Sequence, residues 1–441
     1  MRTLLILCLA LLLSGAAEAH VDFDTYFDGR TLRIDYTFAG DSASQQIFLD
    51  RCYSLDHWAG RRVNLDKLYL EGTADITMRT VDTGKIIYRH SFSTHFQDWT
   101  GIKQATALRC AYDHVVTVPM PRNPTEVEIN LYDFRQKPVA SLVHKVDPKD
   151  ILIRNLSAST INPPSKYILH SGDSKECIDV AILAEGYDKD ELQKFYDDAK
   201  RFTDALFSYE PFKSNVNKFN VIAVGAASAQ SGISEPAKGI WKQTAINSCF
   251  NFLYMDRLLG VPSLRKANDL LAGVDYEHIL ILANTDTYGG CGVYNSYCIT
   301  AAHNVNAIPV TVHEFAHEFG GLGDEYFYDD TYTQYYYPDV EPWNENLTTL
   351  ADFKRKWADM LPAGATIPAK PEDVAKLDKN DVTTIGVYEG GGYQSKGVYR
   401  PAVNCRMRTN SVPDFCPVCK RALNRMIDYH ITETEPATPS L

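Results

Sequence analysis

The sequence predicts a multidomain chain of mixed α+β and α/β class: an antiparallel β-sandwich over 20–150, then an α/β unit over 177–435. Three observations predict it. Between Thr31 and Val146 several runs alternate polar and apolar residues with period two, which suits strands buried on one face. From Cys177 the pattern becomes short continuous apolar runs between helical stretches, which suits a sheet covered on both faces. A late apolar helix then carries His313-Glu314-Phe315-Ala316-His317, a His-Glu-x-x-His motif.

The totals fit this plan. A chain of 441 residues has room for two or three domains, and 45% hydrophobic with 11% aromatic content can fill their cores. A net charge of −12 speaks against nucleic acid or an anionic membrane as the main partner. Arg2, the apolar run Leu4–Leu13 and Ala17-Glu18-Ala19 read as a signal peptide over 1–19, so the mature chain is expected to begin at His20. That predicts export to the periplasm, the cell surface or the medium. No later run of about 18 apolar residues exists, so no membrane span is expected in the mature chain.

In the first domain the apolar sets are Leu32, Ile34, Tyr36 and Phe38, then 74–81 and 126–132, with turns at Gly40-Asp41, Asp82-Thr83-Gly84 and Pro121–Pro124. It holds no His, Cys and carboxylate cluster of catalytic spacing. Its expected role is structural, or the binding of substrate, glycan or a cell-surface ligand. Residues 151–176, with Asn162-Pro163-Pro164-Ser165 and Ser171-Gly172-Asp173-Ser174, are expected to be a linker.

The second domain divides into an upper half, 177–320, and a lower half, 321–435. Strands are expected at 177–184, 219–224 and 278–283, and helices at 189–207 and 244–259. A short polar strand at 294–302 is expected to form an edge beside a cleft, where an extended peptide can add by main-chain pairing. Short helices are expected at 352–360 and 371–379, and a final helix at 417–430. The Tyr-rich loop 326–337, with Asp329, Asp330 and nearby Asp339, matches no calcium-loop spacing, so calcium has no support there.

On a helix His313 and His317 stand one turn apart on one face, where two imidazoles can bind one Zn²⁺. Glu314 can reach a water at that ion as general base. Gly320 is expected to end the helix in a left-handed turn. The chain can then return Asp324 to the ion, with Glu325 as the competitor. Glu318 points off the ligand face.

His313 to Tyr326 resembles the signature of the IgA peptidase, or igalysin, family of the metzincin clan. Val180–Tyr187, Tyr388–Glu389–Gly390 through Pro401, and Asn404–Arg408 with Phe415-Cys416-Pro417-Val418-Cys419 are similar to further stretches of that family. The resemblance covers about 177–430, and 20–150 is similar to the β-sandwich that precedes the peptidase unit in many such proteins. It implies a metzincin-like zinc peptidase domain with a twisted mixed sheet, an active-site helix and a Met-turn. It implies one catalytic Zn²⁺ on His313, His317 and Asp324, Glu314 as general base, Met407 as the Met-turn methionine, and a protein or peptide substrate. Tyr326 and Tyr399 are candidates for an additional oxyanion donor. Arg408 and Thr409 follow Met407, where related enzymes often place a tyrosine. The rival readings are a zinc amidase acting on a non-protein or glycopeptide substrate, and an inactive binding or adhesion protein.

Ten cysteines less Cys8 leave nine in the exported chain. Cys291 and Cys298 are near enough in the chain to pair across a local turn. Cys405 is expected to join Cys416 or Cys419, clamping the Met-turn to the last helix. The alternatives are a structural zinc on these three cysteines and a redox pair in Cys416-x-x-Cys419.

Overall fold

The computed structural model describes residues 20–157, 161–328 and 333–433. The stretch 1–19, read above as a signal peptide, Asp329, Asp330 and the tail after 433 lie outside the described residues. The first domain begins with a helical turn, α1 (Phe23–Tyr26), and continues as β1 (Phe27–Gly40), β2 (Gln45–Leu55), β3 (Ala74–Thr80), β4 (Ile86–Phe92), helix α2 (His95–Gly101), β5 (Cys110–Pro121), β6 (Thr125–Tyr132), β7 (Pro138–Val146) and the short β8 (Arg154–Asn155). These strands form two four-stranded sheets, β5-β1-β2-β8 and β4-β3-β6-β7. Leu32, Ile34, Tyr36 and Phe38 of one sheet and Ile76, Met78, Val127, Ile129 and Leu131 of the other share one core. The period-two reading holds for all three predicted runs because each points its apolar set into that core.

The outer face of β1 departs from expectation. Arg33 and Asp35 alternate with the apolar set, yet they are 1% and 2% exposed. Arg33 Nε donates to Asp35 Oδ1 at 2.7 Å, and Arg33 Nη1 to Asp269 of the second domain at 2.7 Å. Asp269 lies on α4 (Leu264–Leu270), whose first residue, Leu264, donates its N–H to Asp113 of β5 at 2.9 Å. The second domain therefore covers this face, and a sandwich carboxylate satisfies a helix start in the second domain.

That domain is built on β9 (Ser165–Leu169), β10 (Ile178–Glu185), β11 (Phe219–Val224), β12 (His278–Ala283), β13 (Gly290–Val293) and β14 (Tyr297–Ala301), ordered β13-β14-β12-β10-β11-β9. The four central strands are parallel and the two edges antiparallel. Every residue of β10, β11 and β12 is buried, as a sheet covered on both faces requires. Ile178, Val180 and Ile182 pack with helices α3 (Leu192–Leu206), α5 (Ala307–Gly320) and α7 (Pro417–Ile431) on one face. Ala181 and Leu183 pack with the 246–271 segment on the other. The lower half adds a single-turn helix, α6 (Pro371–Val374), and a three-stranded sheet of β15 (Phe327–Tyr328), β16 (Tyr388–Gly391) and β17 (Tyr393–Arg400).

Three expectations are corrected. The expected linker contributes β9, which pairs with the β11 edge from Ser165 to Leu169. The edge beside the cleft is β13, and the strand within 294–302 lies one position inside it. The 244–259 stretch is not an α-helix. Buried Glu185, at the end of β10, accepts from Thr244 Oγ1, from the N–H groups of Ile246 and Ser248 and from Ser248 Oγ. A carboxylate out of water needs these donors more than the segment needs helical bonds.

Removing the Asp35 carboxylate leaves buried Arg33 with Asp269 as its one remaining carboxylate partner among the described residues. Asp35→Ala is expected to cost roughly 3–5 kcal/mol in urea unfolding monitored by circular dichroism. A loss under about 1 kcal/mol would show that the pair is not needed to join the domains.

Candidate active site

His313, Glu314 and His317 sit on α5, which lies against the sheet with Phe315 and Phe319 in the core. Gly290 and Gly292 of β13 let the edge strand run flush with this helix: a Cβ on Gly292 would stand 2.2 Å from the Glu314 carbonyl oxygen and 2.8 Å from His317 Cβ. The left-handed residue that ends the helix is Gly321, at φ +58°, not Gly320. Gly320 is still helical, and a Cβ there would meet Leu423 of α7 at 2.4 Å. Side chains from the lower half then fix the returning chain. Asn346 both accepts from the Gly323 N–H at 2.8 Å and donates to its carbonyl at 2.9 Å, and Asn344 donates to the Gly321 carbonyl at 2.8 Å.

The return brings Asp324 Oδ1 to 3.0 Å from His313 Nε2 and 3.2 Å from His317 Nε2, with the two Nε2 atoms 3.0 Å apart. His313 Nδ1 donates to the Arg406 carbonyl at 3.0 Å, and His317 Nδ1 to the Leu322 carbonyl. A carbonyl only accepts, so each Nδ1 carries hydrogen and each Nε2 turns its lone pair to the shared centre. Three acceptors facing one another call for a cation. Burial disfavours charge on His317, yet the Asp324 carboxylate prevails and lifts the imidazole to about 9. Asp324 is itself held well below the usual carboxylate range: burial opposes this, and the two imidazoles outweigh it. A tetrahedral ion with bonds of about 2.05 Å needs donors about 3.3 Å apart, so the residues fit Zn²⁺.

Glu325 is turned away. Its N–H donates to the Met407 carbonyl at 2.8 Å, and its carboxylate lies 3.2 Å from Cys419 Sγ. Glu318 pairs with buried His278 at 2.9 Å on the far side of the helix. Met407 is fully buried in the core beside α5, within a turn in which Arg408 and Thr409 donate their N–H groups to the Cys405 carbonyl.

The site opens into a cleft of about 980 Å³. Tyr326 and Arg257 line it, with the Tyr326 ring 6.4 Å from that of His313 and the Arg257 guanidinium 5.8 Å above the Tyr326 ring. Tyr399 does not line it: six residues on from Tyr393 it would share that residue's face in a regular strand, but Gly397, at φ +76°, lies between them, and Tyr399 packs against the core while Tyr393 lines the cleft. Tyr393 donates its hydroxyl to Asp324 Oδ2. Sequence reasoning missed Tyr393, Asn344, Asn346 and Arg257. The only local sign was the glycine run before Tyr393, which lets the backbone turn sharply there. The sandwich also walls the cleft, through Thr94, His95, Asp98, Lys103 and Phe134.

None of the disulfide candidates is bonded. Cys291, Cys298, Cys405, Cys416 and Cys419 are all free. Cys291 stands opposite Ile299, and Cys298 opposite Gly292, so their side chains leave opposite faces of the sheet into separate cores. The Cys405 and Cys419 sulfurs are 3.7 Å apart, against about 2.05 Å in a bond.

Fold and site together describe a hydrolase-like arrangement: two imidazoles and a carboxylate that converge on one centre, with a further carboxylate beside them on the floor of a groove. The family profile described as IgA Peptidase M64 matches residues 167–382 and 369–427, and that described as Peptidase M64 N-terminus matches 22–142. The chain belongs to the IgA peptidase M64 family and is a peptidase. No curated protein matches it.

Gly292→Ala places a methyl against backbone that cannot give way. The expected outcome is a lower melting temperature together with at least a tenfold loss of peptide cleavage, read by calorimetry and a fluorogenic peptide. A variant that keeps both would show that β13 and α5 need not lie so close.

Proposed function

We propose that the chain is an exported, zinc-dependent endopeptidase of metzincin type. The carrying observation is the convergence of His313 Nε2, His317 Nε2 and Asp324 Oδ1 within 3.2 Å, with Glu314 in the same cleft. His313, His317 and Asp324 would hold Zn²⁺. When bound there, the ion supplies a Lewis acid that makes water acidic and polarises a carbonyl.

The chain's own groups do the rest. The Arg406 and Leu322 carbonyls fix the tautomer and tilt of the two imidazoles, and the Tyr393 hydroxyl orients Asp324 through its other oxygen. Glu314 takes a proton from the attacking water and later gives it to the leaving amine. Burial raises its carboxyl above the usual glutamate value against the pull of His313 and His317, which suits a group that must accept a proton and release it again. An extended substrate lies along β13, the edge strand lining the cleft, and main-chain pairing there requires no particular side chain. Tyr326, its ring 6.4 Å from that of His313, is the candidate donor to a developing oxyanion. Met407 supports the site from below.

Export rests on the sequence of residues 1–19, and no helix among the described residues is long and apolar enough to cross a membrane. Immunoglobulin A is not taken as the substrate, because preference lies in the cleft walls. A cleavage profile on a peptide library reads it directly.

Glu314→Gln is expected to lower kcat/KM on a peptide by about 10²–10⁴-fold while the protein keeps its fold and its zinc, as circular dichroism and elemental analysis report. A chelator should abolish wild-type cleavage and added Zn²⁺ restore it. Unchanged cleavage in Glu314→Gln, or after zinc removal, would sink the proposal.

A further inference from the structure

A second group of donors lies behind the first. Cys405 Sγ, Cys416 Sγ, Cys419 Sγ and a Glu325 carboxylate oxygen all lie within 4.8 Å of one another, and all four residues are buried. The 3.7 Å between the Cys405 and Cys419 sulfurs is too long for a disulfide. It matches the edge of a tetrahedron with metal–sulfur bonds of about 2.3 Å, which is about 3.75 Å. Glu325 Oε1 stands 3.2 Å from Cys419 Sγ and accepts from Asn346 at 2.9 Å. Glu325 Oε2 is buried with no hydrogen-bond partner among the described residues. A fully buried carboxylate with an oxygen unused is costly unless a cation takes it.

The backbone is arranged for thiolates. The Cys416 N–H donates to Cys405 Sγ at 3.2 Å and the Cys419 N–H to Cys416 Sγ at 3.5 Å. Cys416 is the N-cap of the fifteen-residue helix α7, whose first N–H groups and dipole favour negative charge. The charges of Arg400 and Arg408 also act on Glu325.

We propose that Glu325, Cys405, Cys416 and Cys419 form a second metal site, a closed cage for one structural Zn²⁺ separate from the His313–His317–Asp324 centre. Four protein donors complete a tetrahedron and leave no position for substrate. As the ion binds, the three thiols release their protons to solvent and coordinate as thiolates. The site joins three stretches that serve the first centre: Glu325 follows Asp324, Cys405 precedes the Arg406 carbonyl that orients His313, and Cys416 and Cys419 open α7. It accounts for Glu325 facing away from the histidines, and for three buried cysteines that meet without bonding.

The test uses the full chain. Elemental analysis of purified wild type is expected to give two zinc ions per chain, and the double variant His313→Ala/His317→Ala one. That variant reads the second site alone, so a failure of the catalytic proposal is seen separately. Cys416→Ser/Cys419→Ser is expected to lose one ion, but its fold depends on the same residues. Wild type and the histidine double variant reconstituted with Co²⁺ therefore provide the second measurement. Both should show intense near-ultraviolet thiolate-to-cobalt absorption, which imidazole and carboxylate ligands do not give. One zinc in wild type and none in the double variant would overturn the proposal. So would cobalt bound without that absorption, or a disulfide among the three cysteines in non-reducing mass spectrometry.

Discussion

His313 Nε2, His317 Nε2 and Asp324 Oδ1 point lone pairs at one another across 3.0–3.2 Å, and such groups repel unless positive charge stands between them. The surrounding structure keeps them in place. The helix gives the histidines their one-turn spacing, and two carbonyls pin their rings. Asn344 and Asn346 hold the returning loop, and Tyr393 holds Asp324 from behind. The upper half provides the histidines, while the lower half provides most of the groups that hold them still.

The sandwich is part of the same machine. Its outer face is joined to the peptidase half through Arg33, Asp35 and Asp269, and its 94–104 segment with Phe134 lines the cleft. A substrate would meet residues of both domains before it reaches the histidines. This is how a domain with no catalytic cluster of its own can still shape which chains enter.

Much of this was legible in the sequence because it follows from local rules. Period-two runs gave the sandwich strands, continuous apolar runs gave the buried sheet, and the one-turn His spacing placed His313 and His317 together with Glu314. The returning loop was legible as far as Asp324, because the glycines after the helix allow the reversal. What stayed hidden depends on partners distant in the chain. Arg33 and Asp35 look like the wet face of a strand until Asp269 arrives. The 244–259 stretch looks helical until Glu185 claims its donors. Tyr393 and Tyr399 would share one face of a regular strand, and the left-handed Gly397 between them breaks that alternation; Cys291 and Cys298 look pairable until the sheet sends them to opposite faces.

The long reach of these contacts orders events in time. Arg406, which orients His313, lies 93 residues beyond it, and Tyr393 lies 69 residues beyond Asp324. A chain still emerging from the ribosome can form the helix with both histidines and yet lacks the groups that aim them. Until its later segments emerge the chain carries the signature motif without the contacts that hold His313 and Asp324 in place.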